Sequence, residues 1–129
     1  MNRPAIYFRW VVLVGVLVNL SLGIPGIFLP AQLVALFGAP PPSHPIWASF
    51  ASLLLVLLSL FFIPAALNPF RHRAAAYLTV AARFGGVWFF LAYHGLYPLA
   101  GYLDLAFGSV QAILLFLAFR AGEHPMVSA

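Results

Sequence analysis

The stretch RFGGVWFFLAYHGLYPLAGYLDLAFGSVQ, Arg83 to Gln111, decides how the chain is built. It sets one arginine and one aspartate inside two adjacent apolar segments. Thr79, Arg83, Gly86, Phe90 and His94 recur at helical spacing and share one face of the first segment. Gly101, Asp104, Gly108 and Gln111 do the same on the second. Between the two faces, His94-Gly95-Leu96-Tyr97-Pro98 leaves room only for a tight turn, with glycine as stop and proline as restart. The spacing therefore predicts antiparallel neighbouring helices. Ionisable groups at such depth are costly and face a bundle interior, a water-filled cavity or a partner.

Composition places the pair in lipid rather than in a soluble core. The 129 residues are 64% hydrophobic and 6% charged, where a soluble domain carries about 25% charge. Only Asp104 and Glu123 are acidic, and all six basic residues are arginines. The arginines sit between apolar runs, so the basic balance points to membrane topology and not to nucleic acid. The lack of cysteine excludes a disulfide framework, thiolate ligands and a cysteine nucleophile.

The expected fold is all-α: a polytopic membrane protein with four transmembrane helices in an antiparallel bundle, forming a single domain over 1–129. The helices are expected at about 5–28, 46–67, 69–94 and 98–120, with a short interfacial helix at about 30–38. The first run, flanked by Arg3 and Arg9, has the outline of a signal peptide. It is longer than the roughly 7–15 apolar residues of a signal core and lacks a small-x-small cleavage site, so it reads as a span. Gly15, Asn19 and Gly26 form its close-packing stripe, with Asn19 placed to bond across to a neighbour. Gly23-Ile24-Pro25-Gly26 is expected to kink or end that helix. Ala39 to Pro45 is a rigid proline-rich connector, and Trp47 anchors the second span at the interface. Ser49, Ser52 and Ser59 make the polar stripe of that span, and Asn68-Pro69 is expected to cap and open the third.

Four spans put Arg3, Arg9, Arg71, Arg73 and Arg120 on one side, while the opposite connections carry no arginine or lysine. By the positive-inside rule both termini are cytoplasmic, in what reads as a bacterial inner membrane.

The polar stripes leave two functional classes open. At 1.5 Å per residue, Arg83 and Asp104 are offset in depth by roughly 8 Å. A direct ion pair and a bridge through water or Asn19 both satisfy that offset. As a structural device the pair pins the hairpin. As a binding seam, Arg83, Asp104, Gln111, Asn19 and His94 would hold a quinone headgroup or a lipid phosphate, with Tyr97 near the mouth. A second face of the third span, Tyr77, Ala81, Phe84 and Trp88, lies roughly 130° round from Arg83. Tyr77, Phe84 and Trp88 are the candidates for contact with a partner protein, pigment or lipid. Haem is disfavoured, because only His94 and His44 lie near one level and His44 is in the connector. No metal-ligand spacing, nucleophile–base set or phosphate loop occurs, so the chain reads as no self-contained enzyme.

Two resemblances bear on these classes. In size the chain is similar to small proton-coupled four-helix exporters, but those centre on a carboxylate in the first helix, where this chain has Asn19. The first helix leading into Pro30-Ala-Gln-Leu-Val-Ala-Leu-Phe-Gly38, the Arg83-Phe-Gly-Gly86 segment and an acid in the last helix resemble the DoxX-like small four-helix bacterial membrane proteins. That resemblance implies the four-helix architecture and an accessory role, since some members look like subunits of membrane oxidoreductases. It transfers no catalytic residues. The leading expectation is an integral accessory subunit of a respiratory or photosynthetic type of membrane complex, docking partners through aromatic and glycine-rich faces. A stand-alone quinone- or lipid-binding bundle is the alternative, and a small proton-coupled exporter the second.

Overall fold

The computed structural model describes residues 2–93 and 97–122. Helix α1 spans Arg3–Phe28, α2 Pro30–Leu36, α3 Pro45–Leu67, α4 Arg73–Val87 and α5 Pro98–Ala121, and α4 continues as a π-helical turn over Trp88–Tyr93. Four of these are long and apolar enough to cross a membrane: α1, α3, α5, and α4 together with its π turn. They pack together as one bundle, the architecture of an integral membrane protein.

Helix α1 is the hub, packing most extensively on α3 and then on α5, while α4 packs on α5 and α3. Glycines permit the α1–α3 approach. A Cβ at Gly23 would stand 2.8 Å from Val56 Cγ2, and one at Gly26 would collide with Ser52 and Leu33. In lipid no hydrophobic force drives helices together, so such close van der Waals contact carries the association. The packed core is confined to the arginine-rich end of the bundle. There Phe8, Val12, Val16, Phe62, Ala65, Ala66, Ala76 and Leu115 form one buried cluster.

Helix α1 runs unbroken through Pro25 to Phe28, the expected end, and the Leu29 N–H returns to the Pro25 carbonyl at 2.7 Å. Both ends of α4 differ from the sequence expectation. Helix α4 starts at Arg73 and not at Pro69. Asn68 Oδ1 accepts from the Arg71 N–H at 3.2 Å, and the buried Phe70 packs at a tilt against Phe119, so residues 69–72 are held as a turn. At its far end α4 loses the α pitch directly after Gly85-Gly86 and widens to the π turn. The short α2 ends at Leu36, and Gly38 just beyond its C-cap has a φ of +78°, a left-handed conformation that glycine accepts without Cβ strain.

The arginine-rich end is tied by polar caps. Asn2 Oδ1 accepts from the Ala5 N–H at 3.0 Å, opening α1, while its Nδ2 donates to the Ala118 carbonyl at 2.9 Å and the Gly122 carbonyl at 2.8 Å. One side chain thus caps the start of α1 and the end of α5. Arg9 Nη2 donates to the Leu67 carbonyl at 2.8 Å, setting a cation at the negative end of the α3 dipole. Arg73 lies 4.4 Å over the Phe119 ring. The ends of α1 and α5 therefore meet on the same side of the bundle.

Candidate functional site

The site is built where α1, α4 and α5 converge. Arg83 is 6% exposed, and two glycines on the flanking helices make its slot. A Cβ at Gly15 of α1 would stand 2.5 Å from Arg83 Nη2, and one at Gly108 of α5 would stand 2.8 Å from Arg83 Cβ. The guanidinium carbon lies 4.9 Å from the centre of the Phe107 ring, within cation–π range. Arg83 Nη1 donates to Asp104 Oδ1 at 3.0 Å and makes a longer contact of 3.4 Å to Asn19 Oδ1. Of the two arrangements left open by the depth offset, the structure has the direct ion pair. The long arginine side chain covers the difference in level, and Asn19 serves as a second acceptor rather than as a bridge.

Asp104 is set against the backbone of α4 at Gly86, where an added Cβ would fall on its carboxylate. Further toward the arginine-rich end, Gln111 Nε2 donates to Thr79 Oγ1 at 3.2 Å, and the threonine hydroxyl donates to the Ala76 carbonyl at 2.7 Å. Gln111 Oε1 and Arg83 Nε are buried without a hydrogen-bond partner among the described residues. Asn19, Arg83, Asp104 and Gln111 thus lie along one seam, with Thr79 completing it. His94 falls outside the described residues.

Above the ion pair, away from the packed core, the helices part. A cavity of about 400 Å³ opens there, with Asn19, Arg83 and Asp104 in its wall. Phe89, Phe90, Tyr97 and Phe107 supply aromatic surface, and Leu33, Val34 and Phe37 of α2 bound it on one side. Ser52 also lines it, although its hydroxyl already donates to the Ala48 carbonyl at 2.9 Å. Val18, Leu22, Phe37 and Leu103 are shared with a second, apolar cleft between α1 and α5, which reaches the lipid-facing Leu17 and Leu99. A largely apolar cleft, with Ser21 its one polar side chain among the described residues, therefore adjoins the cavity that holds the polar cluster.

The aromatic face of α4 is less uniform than its spacing implies. Trp88 is 58% exposed and stacks on Tyr93 with ring centres 5.0 Å apart. Tyr77 meets Phe119 edge-on at 5.4 Å, and Phe84 leans toward Gly108 on α5. The three residues therefore contact three different neighbours within the bundle while keeping outward surface.

Sequence reasoning missed Phe107 and the role of α2. Phe107 follows Asp104 at a spacing of three, which was the available signal. The α2 contribution depends on tertiary placement and had no local signal. Among the described residues, no group of three or more histidine, cysteine, aspartate or glutamate side chains could hold a metal ion. The arrangement sets hydrogen-bond donors and acceptors from Asn19, Arg83 and Asp104 at one wall of the cavity. Compared with protein-family models, curated proteins and solved structures, the chain matches none.

Proposed function

We propose that this four-helix membrane protein binds a membrane-dissolved amphiphile, a quinone or a lipid, with the head group at Asn19, Arg83 and Asp104. The observation that carries this reading is the cavity of about 400 Å³, polar at one wall and adjoining a largely apolar cleft that shares Val18, Leu22, Phe37 and Leu103 with it. The volume lies within the roughly 300–1,000 Å³ of small-molecule sites, which are mainly apolar with a few placed polar groups. Head group and tail would enter together from the lipid between α1 and α5, under α2. On the positive-inside rule, the end bearing Arg3, Arg9, Arg71, Arg73 and Arg120 faces the cytoplasm of a bacterial inner membrane, and the cavity opens in the opposite half.

The test is extraction of lipids, quinones and pigments from protein purified in mild detergent. One amphiphile per chain is expected, and Leu103→Trp, which fills the junction of cavity and cleft, should abolish it. A folded wild-type chain that retains none and takes none up would overturn the reading.

A second reading, an accessory subunit of a larger respiratory or photosynthetic type of complex, draws support from the stacked, outward-lying Trp88 and Tyr93. Broad aromatic surface at a lipid-facing position suits docking against another membrane protein or a pigment. The two readings are compatible, since a subunit can hold the amphiphile its complex uses. The exporter reading lacks a carboxylate on α1, where Asn19 is instead engaged by Arg83.

A further inference from the structure

The hydrogen-bonding capacity left over at the cavity wall specifies the kind of head group, given the amphiphile-binding reading above. Asn19 Oδ1 is engaged by Arg83 Nη1, which fixes the amide orientation and leaves the Nδ2 hydrogens without a partner among the described residues. Asn19 is 7% exposed and lines the cavity, so this donor is available there and almost nowhere else. Arg83 spends Nη1 on Asp104 and Asn19, while Nη2 lies against α1 at Gly15. One Asp104 oxygen is taken by Arg83; the other, against α4 at Gly86, makes no hydrogen bond to a described residue and keeps its acceptor capacity. The Ser52 hydroxyl donates to the backbone of its own helix. The donor open to the cavity is the Asn19 amide.

The charge balance narrows the class further. Among the described residues, Arg83 and Asp104 are the only charged ones in the cavity wall, and they sum to zero. An anionic phosphate brought to this wall would find no net positive charge, and would have to compete with Asp104 for the guanidinium in a medium that screens poorly.

We infer that the site selects an uncharged amphiphile whose head oxygen, such as the carbonyl of a dione or ester, accepts from Asn19 Nδ2, over anionic lipids. That oxygen supplies the partner the amide lacks, and the ion pair stays intact beneath it. Its tail follows the cleft past Leu99 and Leu17.

The experiment compares equilibrium binding of three probes to the wild-type chain in dodecyl maltoside: decylubiquinone, its quinol, and dioleoyl phosphatidic acid. The dione and the quinol, both uncharged, are each expected to bind about tenfold tighter than phosphatidic acid. Asp104→Asn, which strips the counter-charge from Arg83, should move the preference to phosphatidic acid. Preference of the wild type for phosphatidic acid over either uncharged probe would overturn this inference and leave the amphiphile reading standing. Binding of none of the three by folded wild-type protein would overturn both. If Asp104→Asn does not fold, the wild-type ranking alone decides. If it folds and keeps the wild-type ranking, the charge-balance argument fails.

Discussion

Asp104 reaches Arg83 because residue 86 has no side chain. The carboxylate occupies the space that a Cβ at Gly86 would take, and from there one oxygen meets Arg83 Nη1 at 3.0 Å. The aspartate on α5 and the glycine on α4 are thus a fitted pair, one turn of α4 above the arginine that both serve.

Gly86→Ala is expected to displace the carboxylate and lower stability by about 1–3 kcal/mol, the usual range for overpacking. The same substitution in an Asp104→Ala background should cost much less, since the space is then empty. Thermal unfolding of the four variants in detergent checks this, and equal costs in both backgrounds would sink the fitted-pair account.

Removing either member of the Arg83–Asp104 pair leaves a charge without its counter-ion. The expected loss for Arg83→Leu or Asp104→Leu alone is about 3–5 kcal/mol by analogy with buried pairs in soluble cores. Water drawn in by an orphaned arginine would reduce it. The double substitution should recover much of the loss. A double-mutant cycle measures the coupling, and additive single effects would mean that the two residues act independently.

Gln111 offers the opposite contrast. Its Nε2 bonds Thr79, but its Oε1 is a buried acceptor without a partner among the described residues. Gln111→Leu together with Thr79→Val removes the whole polar group at similar volume, and should change stability by less than about 1 kcal/mol. Gln111→Ala, which leaves a hole, should cost about 2–4 kcal/mol. Equal losses for the two constructions would show that the side chain acts through its hydrogen bonds and not through its bulk.

Topology can be read with single cysteines, because the chain has none of its own. Ser43→Cys in the connector before α3 should be labelled from outside intact cells by a membrane-impermeant maleimide. Arg71→Cys, in the turn before α4, should be protected, with Arg3, Arg9, Arg73 and Arg120 still marking that side. The reverse pattern would invert the bundle, and labelling at both positions would break the four-span count.

How far the sequence reveals this arrangement depends on how local each cause is. The four spans are legible because length and apolar composition are properties of single segments. The coincidence of Arg83, Asp104 and Asn19 is legible only as a set of stripes. Spacing states which residues share a helix face, but the 3.0 Å contact needed the reach of one arginine and the absent side chains at Gly15, Gly86 and Gly108. The start of α4 is not legible locally, because Asn68-Pro69 is a good helix opening in isolation. Burial of Phe70 against Phe119, distant in the sequence, overrides it. The cavity itself has no local cause at all. It exists because the large buried side chains gather at one end of the bundle, and α2 folds back over the other.

The double cap made by Asn2 has a consequence for the order of assembly. Its acceptor on Ala118 lies 116 residues downstream, which at roughly 5–20 residues per second takes the ribosome about 6–23 s to reach. Until then α1 can already pair with α3 through its glycine contacts, but the amide of Asn2 has no carbonyl to close on. The final helix therefore finishes a clasp whose other half was laid down first. A nascent chain stalled before Ala118 should carry a frayed beginning as well as a missing end.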